Sequence, residues 1–259
     1  MSKQTKYSIY IPSKGRAKSC ITANMLQKDN IDFKIVVEPQ DYKDYCNEYS
    51  KDKILKLPFS ELGLGVYPAR NWIKEYSISK KETFHWQLDD DLRFLAFYTK
   101  GKHKIKPPSE ILKAVENFSD RYKNIGITGV SSRGFAFSKN KPFGLNQQVY
   151  CCILYRNELP YKWRCKADDT DMSLQVLKGG WCTVNMNAFV FDSKVTGERT
   201  KGGNSTDVYN NDGRLLRARH LKNLHPDLPI RITKKFGRTH QDLNQVWKLF
   251  KQPLVRYES

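Results

Sequence analysis

Three consecutive carboxylates, Asp89, Asp90 and Asp91, stand where an apolar run stops, in the stretch FHWQLDDDLRFL from Phe84 to Leu95. Trp86 and Leu88 precede them, and Leu92, Phe94 and Leu95 follow. Like charges packed that closely raise one another's pKa values and strain a fold unless a cation or a hydrogen-bond donor compensates them. Oxygen-only ligands of this kind suit a hard divalent ion, Mg2+ or Mn2+, shared with the phosphates of a substrate. The triplet alone fits an acidic turn left in solvent equally well.

The segments around it set the architecture. Tyr7 to Ile11, YSIYI, is β-branched and aromatic and ends at Pro12, so it predicts a strand. The loop PSKGRAKS leads into a helix from Ser19 to about Lys28 with Ile21, Met25 and Leu26 as its apolar positions. A strand, a Gly-containing basic loop and a helix are what a nucleotide site at a sheet edge uses, since backbone N–H groups and Arg or Lys meet phosphate there. Lys14 and Arg16 fit surface charges as well. Neither GxGxxG nor a P-loop is present, which leaves a Rossmann dehydrogenase or a Walker-type ATPase unsupported.

Phe33 to Glu38 predicts the second strand, followed by the polar, Tyr-rich segment QDYKDYCNEY; Ile54 to Leu57 predicts a short third. After the turn Gly63 to Gly65, the positions Val66, Ala69, Ile73 and Tyr76 recur at helical spacing, with Arg70 and Asn71 near the beginning. Thr83 to Leu88 then delivers the triplet. Further on, Pro108 to Tyr122 predicts a helix, and Asn124 to Val130 and Gln148 to Tyr155 predict strands. This alternation argues for an α/β fold, a mostly parallel sheet covered by helices, with ligands at the carboxyl ends of its strands. The loop SSRGFAFSKNKPFGLNQQ carries Arg133, Phe135 and Phe137, a composition suited to a nucleotide or, equally, to packing of the Phe rings in the core.

A second acidic cluster, Asp168, Asp169 and Asp171, opens a helix through Met172, Val176 and Leu177 that ends at Gly179 and Gly180. Helix capping explains carboxylates there too. Two such clusters nevertheless suit a division of labour, one holding metal and the other providing a base. Beyond it, Cys182 to Phe191 alternates like a strand, and TKGGNSTDVYNND reads as a loop. A basic helix from about Gly213 to Leu221 and the amphipathic segment FGRTHQDLNQVWKLF follow, with Leu243, Val246, Trp247 and Phe250 apolar.

Charge narrows the partners. With 45 Lys and Arg against 27 Asp and Glu the net charge is +18, which favours a polyanion, nucleic acid being the commonest. The end of the chain from Lys194 holds 14 basic and 6 acidic residues, among them Arg214, Arg217, Arg219, Lys222, Arg231, Lys234, Lys235 and Arg238. At 39% hydrophobic and 12% aromatic residues the chain has material for a core despite its charge. Six Cys without a Cys-x-x-Cys pair indicate buried thiols rather than zinc or disulfides. No apolar run approaches a membrane span and the first residues lack a signal-peptide core, so a soluble, cytoplasmic protein without a membrane partner is expected.

Taken together, YSIYIPSKGRA, IVVEPQDY, the PARN helix start, LDDDL and ADDTDMSLQ resemble a GT-A type nucleotide-sugar glycosyltransferase over most of the chain. They are most similar to the phage TET-associated glycosyltransferase group, which includes DNA hydroxymethylcytosine arabinosyltransferases. The resemblance implies a Rossmann-like GT-A core over residues 1–193 and a basic segment, 194–259, packed on the same domain and contacting DNA. It assigns Pro12, Ser13, Lys14, Gly15 and Arg16 to the nucleoside diphosphate, Glu38 to uracil and Arg70 to the base or phosphates. Asp89 and Asp91 match the outer positions of the Asp-x-Asp motif, with Asp91 and Asp89 on the metal, Mn2+ or Mg2+, and Asp89 and Asp90 near the donor. ADDTD stands where inverting members carry a Glu-Asp pair, which points to Asp169 as base with Asp168 as the other choice. GRTH matches the late position of a metal-binding His, favouring His240 over His220 and His225.

The activity implied is transfer of arabinose or glucose from a UDP-sugar to 5-hydroxymethylcytosine in DNA, in the host bacterial cytoplasm if the chain is phage-encoded. Three rivals remain open. They are a GT-A enzyme acting on a glycan or protein, a metal-dependent nuclease, and a transferase fold that only binds nucleic acid.

Overall fold

The computed structural model describes residues 4–60, 62–136, 141–193, 213–235 and 237–258. The first half alternates β1 (Ile9–Pro12), α1 (Ile21–Lys28), β2 (Lys34–Val37), α2 (Tyr42–Glu48), β3 (Ile54–Lys56), α3 (Tyr67–Ser79) and β4 (Phe84–Leu88). A hairpin of β5 (Leu92–Thr99) and β6 (Lys102–Lys106) comes next, then α4 (Pro108–Ser119), β7 (Ile125–Ser132), α5 (Arg133–Ala136), β8 (Phe143–Leu145) and β9 (Cys152–Arg156). α6 (Asp168–Lys178) and β10 (Cys182–Ser193) lead to α7 (Gly213–Leu224), a hairpin of β11 (Arg231–Lys235) and β12 (Arg238–Asp242), and α8 (Asn244–Trp247).

Nine strands follow the order β3-β2-β1-β4-β9-β7-β10-β5-β6, with β8 also on β10. β3, β2, β1 and β4 are mutually parallel, and so are β7 and β10. β9 runs against both β4 and β7, so those six strands all point the same way and present their carboxyl ends on one edge. The sheet is thus mixed and mostly parallel, covered by helices, as the alternation predicted. The close pairing of β7 with β9 depends on Gly129. A Cβ there would lie 2.2 Å from Val149 Cγ1 and 2.7 Å from the Cys152 carbonyl oxygen, which no real side chain tolerates.

Alternation along β1 explains the two layers. Ile9 and Ile11 join Trp86, Leu88 and Leu95 against Ala23 and Leu26 of α1 and Ile111, Leu112 and Val115 of α4. Tyr10 faces the other way, with Val36 and Leu57 against Ile73 of α3. Each fully buried aliphatic side chain of this kind contributes about 1.5–3 kcal/mol. Glu116 of α4 is buried yet satisfied: it accepts from the Lys6 and Tyr7 N–H groups at 3.0 and 3.2 Å and from Trp86 Nε1 at 2.9 Å.

The carboxyl-terminal elements pack onto α6, where Cys165, Ala167 and Leu174 meet Leu221, Ile230, Leu243 and Val246. Beyond α8 the chain crosses back under β7. Asn124 Nδ2 donates to the Pro253 carbonyl at 2.8 Å, the Lys123 N–H to Val255 at 2.9 Å, and the Tyr257 N–H to Arg121 at 3.1 Å. Four segments differ from expectation. The Tyr-rich stretch is the helix α2, the β5–β6 hairpin had no predicted counterpart, the loop carrying Arg133 and Phe135 includes α5 and β8, and the amphipathic end is helical only over Asn244–Trp247. All six cysteines are free thiols. Among the described residues no helix is long and apolar enough to cross a membrane.

Candidate active site

The triplet sits at the carboxyl edge and is held by its backbone. The Asp89 N–H donates to the Cys151 carbonyl at 2.8 Å, continuing the β4–β9 pairing that ends at Leu88 and Cys152. Thr22, in the first turn of α1, pins the rest. Its hydroxyl donates to the Asp89 carbonyl at 2.5 Å and accepts from the Leu92 N–H at 2.9 Å, while its own N–H donates to the Asp90 carbonyl at 3.2 Å.

The three side chains then part. Asp90 turns inward, accepting from Arg16 Nη1 at 2.5 Å and from the Ser13 hydroxyl at 2.5 Å. Asp89 accepts from Arg70 Nη2 at 2.8 Å. Among the described residues no other side chain hydrogen-bonds or ion-pairs with Asp91, and the Arg16 charge reaches it only at longer range. Burial, with the charges of Asp89 and Asp90 beside it, pushes its pKa up to about 7.

The loop after β1 is built around Tyr45 of α2, whose hydroxyl lies 2.6 Å from Ser13 Oγ and accepts the Arg16 N–H at 3.1 Å. Gly15 takes φ +63, which an L side chain resists, and its N–H donates to Asp41 at 2.7 Å. Lys14 Nζ stands 3.1 Å from Glu38, so the basic loop and the carboxyl end of β2 are adjacent.

Arg70 joins the two acidic clusters. Its guanidinium is buried, with Nε donating to Asp168 at 2.7 Å, Nη2 to Asp89 at 2.8 Å and Nη1 to Gln87 at 3.3 Å; Asp169 Oδ1 lies 3.5 Å from Nη2. Burial opposes this charge, but Asp169, Asp89 and Asp168 more than offset it and hold its pKa above the usual value. Resemblance assigned Arg70 to base or phosphate; in the structure its donors are directed at carboxylates instead.

Asp169 is partly buried, and its buried Oδ1 has no hydrogen-bond partner. Burial, then the charges of Asp168 and Asp89, push its pKa well above the carboxylate range, against the pull of Arg70 and Arg217. Arg217 comes from α7 and its buried Nε is also unpartnered, so the basic run sends one residue toward this corner. The buried Tyr150 hydroxyl lacks a partner as well. Burial, Asp89 and Asp169 keep the Cys151 thiol protonated. Asp171 belongs elsewhere: it is fully buried and takes Arg164 at 2.5 Å, His225 Nε2 at 2.9 Å and Gln175 at 2.9 Å.

Pro12, Ser13, Lys14, Gly15, Arg16, Glu38, Arg70, Asp89, Asp90, Asp91, Asp168 and Asp169 thus share one edge of the sheet. His240 makes no contact with them among the described residues; it is exposed on β12, paired with Thr233. His220 is exposed on α7, and His225 is taken up by Asp171. Phe137 and the loop 200–212 lie outside the described residues. Thr22, Tyr45, Gln87 and Arg217 escaped sequence reasoning because each acts through a contact distant along the chain.

Among the described residues no group of three or more His, Cys, Asp or Glu side chains is placed to hold a metal. The donor set nevertheless fits a divalent ion that takes its other ligands from phosphate and water. Asp91 has no ion-pair partner among the described residues, Arg16 only partly offsetting its burial, and the Asp89 side chain is 31% exposed beyond its contact with Arg70. Five carboxyl groups, Asp89, Asp90, Asp91, Asp168 and Asp169, stand against the three guanidinium groups of Arg16, Arg70 and Arg217, and the raised pKa values of Asp91 and Asp169 reflect that imbalance.

These groups thus line the carboxyl edge of a helix-covered, mixed α/β sheet. Residues 7–203 match the TET-Associated Glycosyltransferase family, and the chain belongs to it. Among solved structures it is similar to a Desulfovibrio desulfuricans G20 protein assigned as a nucleotide-diphospho-sugar transferase, at 11% identity over 72% of this chain and 80% of that one, with a TM-score of 0.41. No curated protein matches.

Proposed function

We propose that the protein transfers arabinose or glucose from a UDP-sugar to the hydroxymethyl oxygen of 5-hydroxymethylcytosine in DNA, with inversion. Family membership supports glycosyl transfer, and the net charge of +18 favours a nucleic-acid acceptor. The observation that carries the mechanism is the Arg70 clamp, which sets Asp89 and Asp168 on one guanidinium. A metal-type carboxylate and a base-type carboxylate are thereby neighbours across the space where donor and acceptor would meet.

The loop Pro12–Arg16 and Glu38 hold the UDP, with Glu38 on uracil. Asp91 and Asp89 would hold Mn2+ or Mg2+, an ion that would offset charge on the departing diphosphate. Asp169 takes the proton from the acceptor hydroxyl, whose oxygen attacks the anomeric carbon as the bond to diphosphate breaks. Its Oδ1 lies 3.5 Å from Arg70 Nη2 without a hydrogen bond, whereas Asp168 accepts from Arg70 Nε at 2.7 Å, which leaves Asp169 the freer of the two. A raised carboxyl pKa makes the ionised group a stronger base. The base itself must leave the stack or be read from the major groove.

The test is mass analysis of nucleosides from hydroxymethylated DNA after incubation with the protein, Mn2+ and a panel of UDP-sugars. Added pentose or hexose mass on 5-hydroxymethylcytosine, absent from unmodified cytosine DNA, is expected. Transfer only to glycan or protein acceptors, or plasmid nicking without UDP-sugar consumption, overturns the proposal.

A further inference from the structure

The far edge of the sheet carries a surface that the catalytic corner does not use. β5 leaves the triplet directly, Leu92 following Asp91, and turns through Lys100 and Gly101, at φ +46 and +78, into β6. β6 is the outermost strand and reads KHKIK, with Lys102, His103, Lys104 and Ile105 all exposed. Lys102, Lys104 and Lys106 pair with Thr99, Phe97 and Leu95, so the lysines share one face of the ribbon. On the other face, His103 stacks on Phe94 with ring centroids 5.5 Å apart at 10°, and the Arg133 guanidinium lies 6.0 Å from the same ring. Asp192 of β10 holds Arg133 at 3.0 Å and Arg93 at 3.6 Å, and Phe135, beside Arg133 in α5, is 65% exposed.

Lysine on an edge strand also blocks pairing with another sheet. That role needs charge alone and leaves the stacked aromatic and guanidinium groups unexplained. A ribbon with lysines on one face and a guanidinium and rings on the other suits a duplex groove, whose phosphates take the cations while sugars and base edges meet the second face. A two-stranded ribbon fits the roughly 12 Å major groove of B-DNA. The eight residues of β5 extend about 25 Å at roughly 3.3 Å each, the length of about seven base steps.

We propose that the β5–β6 ribbon, with α5, grips the backbone of double-stranded DNA and so presents the modified base to the aspartate corner. This rests on the DNA-acceptor reading above. Part of the carboxyl-terminal basic run already has partners in the protein, Arg231 in a surface pair with Asp242 at 2.6 Å and Arg217 facing Asp169.

The experiment measures duplex binding to the full chain as a function of salt. In the Lys102→Ala/Lys104→Ala variant the slope of log Kobs against log[salt] falls by about 2, as expected for two lost phosphate contacts. Removing the same charge from α7, as Arg219→Ala/Lys222→Ala, leaves it unchanged. Binding of UDP, measured on both variants, reports that they are folded. An unchanged slope in the ribbon variant, or an equal fall in both, overturns the ribbon while leaving the acceptor reading intact. A wild-type protein that does not bind duplex overturns both. Amine acetylation of the wild-type protein provides an independent check: added duplex should slow labelling of Lys102 and Lys104 several-fold, and equal labelling with and without duplex counts against the proposal.

Discussion

Asp89 and Asp168 meet on a single guanidinium, Arg70 donating to the first through Nη2 at 2.8 Å and to the second through Nε at 2.7 Å. A strand end and a helix start are therefore held together by one planar fork. Gln87 keeps that fork aimed by accepting from Nη1, and its own amide donates to the Arg70 carbonyl at 3.2 Å.

Arg70→Lys keeps the charge but not the geometry, because one ammonium cannot serve both carboxylates at those angles. Leaving one buried charge uncompensated costs about 3 kcal/mol. Urea unfolding at pH 7 should show that loss, and sugar transfer should fall by about 100-fold or more. A lysine variant with wild-type turnover would mean the clamp is not needed for catalysis.

Asp91→Asn should separate stability from activity. Its pKa in the fold, about 7, is raised above the unfolded carboxylate value of about 3.9. The cost of ionising it is thus absent below about pH 4 and grows as pH rises through 7. The metal-free variant should gain about 1–2 kcal/mol at pH 8 and nothing at pH 4, while transfer is lost. Denaturant melts at the two pH values read this directly, and a gain at pH 4 would contradict it.

Asp169→Asn should lower turnover by about 10²–10⁴-fold while UDP binding stays within twofold. Asp168→Asn, by weakening the Arg70 clamp, should cost stability as well as turnover. Single-turnover rates with calorimetric UDP titrations distinguish them. Full turnover in the Asp169 variant would move the base to Asp168 or imply retention.

Asp171→Asn is a stability lesion away from the chemistry. Burial alone would raise the Asp171 pKa, but hydrogen bonds from His225 and Arg164 hold it below the usual range. The stability it contributes is fully present above about pH 4 and is lost as pH falls through the lowered folded value. The variant should lose about 3 kcal/mol at pH 7 and show a shallower acid limb. An acid limb identical to wild type would assign the acid response to other groups.

Much of the site was legible because its parts are local. β1, β2 and β4 are short β-branched or aromatic runs ended by Pro, Glu or Asp, and the acid clusters stand out in a basic chain. Their union was not, since nothing around Arg70 in sequence marks Asp89 and Asp168 as its partners. β6 was missed because KHKIK is exposed on both faces and has no apolar period. α2 was missed because Tyr45 is its buried residue, leaving no apolar stripe to count. GRTH follows a tight turn with Gly237 at φ +72, which makes a hairpin where the apolar pattern suggested a helix.

The tail that ends beside Arg121 has a practical side. Arg121 precedes β7, at the amino-terminal margin of the sheet, so Tyr257 emerges on the side away from the aspartates. A fluorophore or surface linker joined there leaves the catalytic entrance clear for single-molecule work on long duplexes. Cutting the chain before Gln252 instead strips acceptors from Asn124 and Asn146 and a donor from Leu177, loosening the floor beneath β7 and β10.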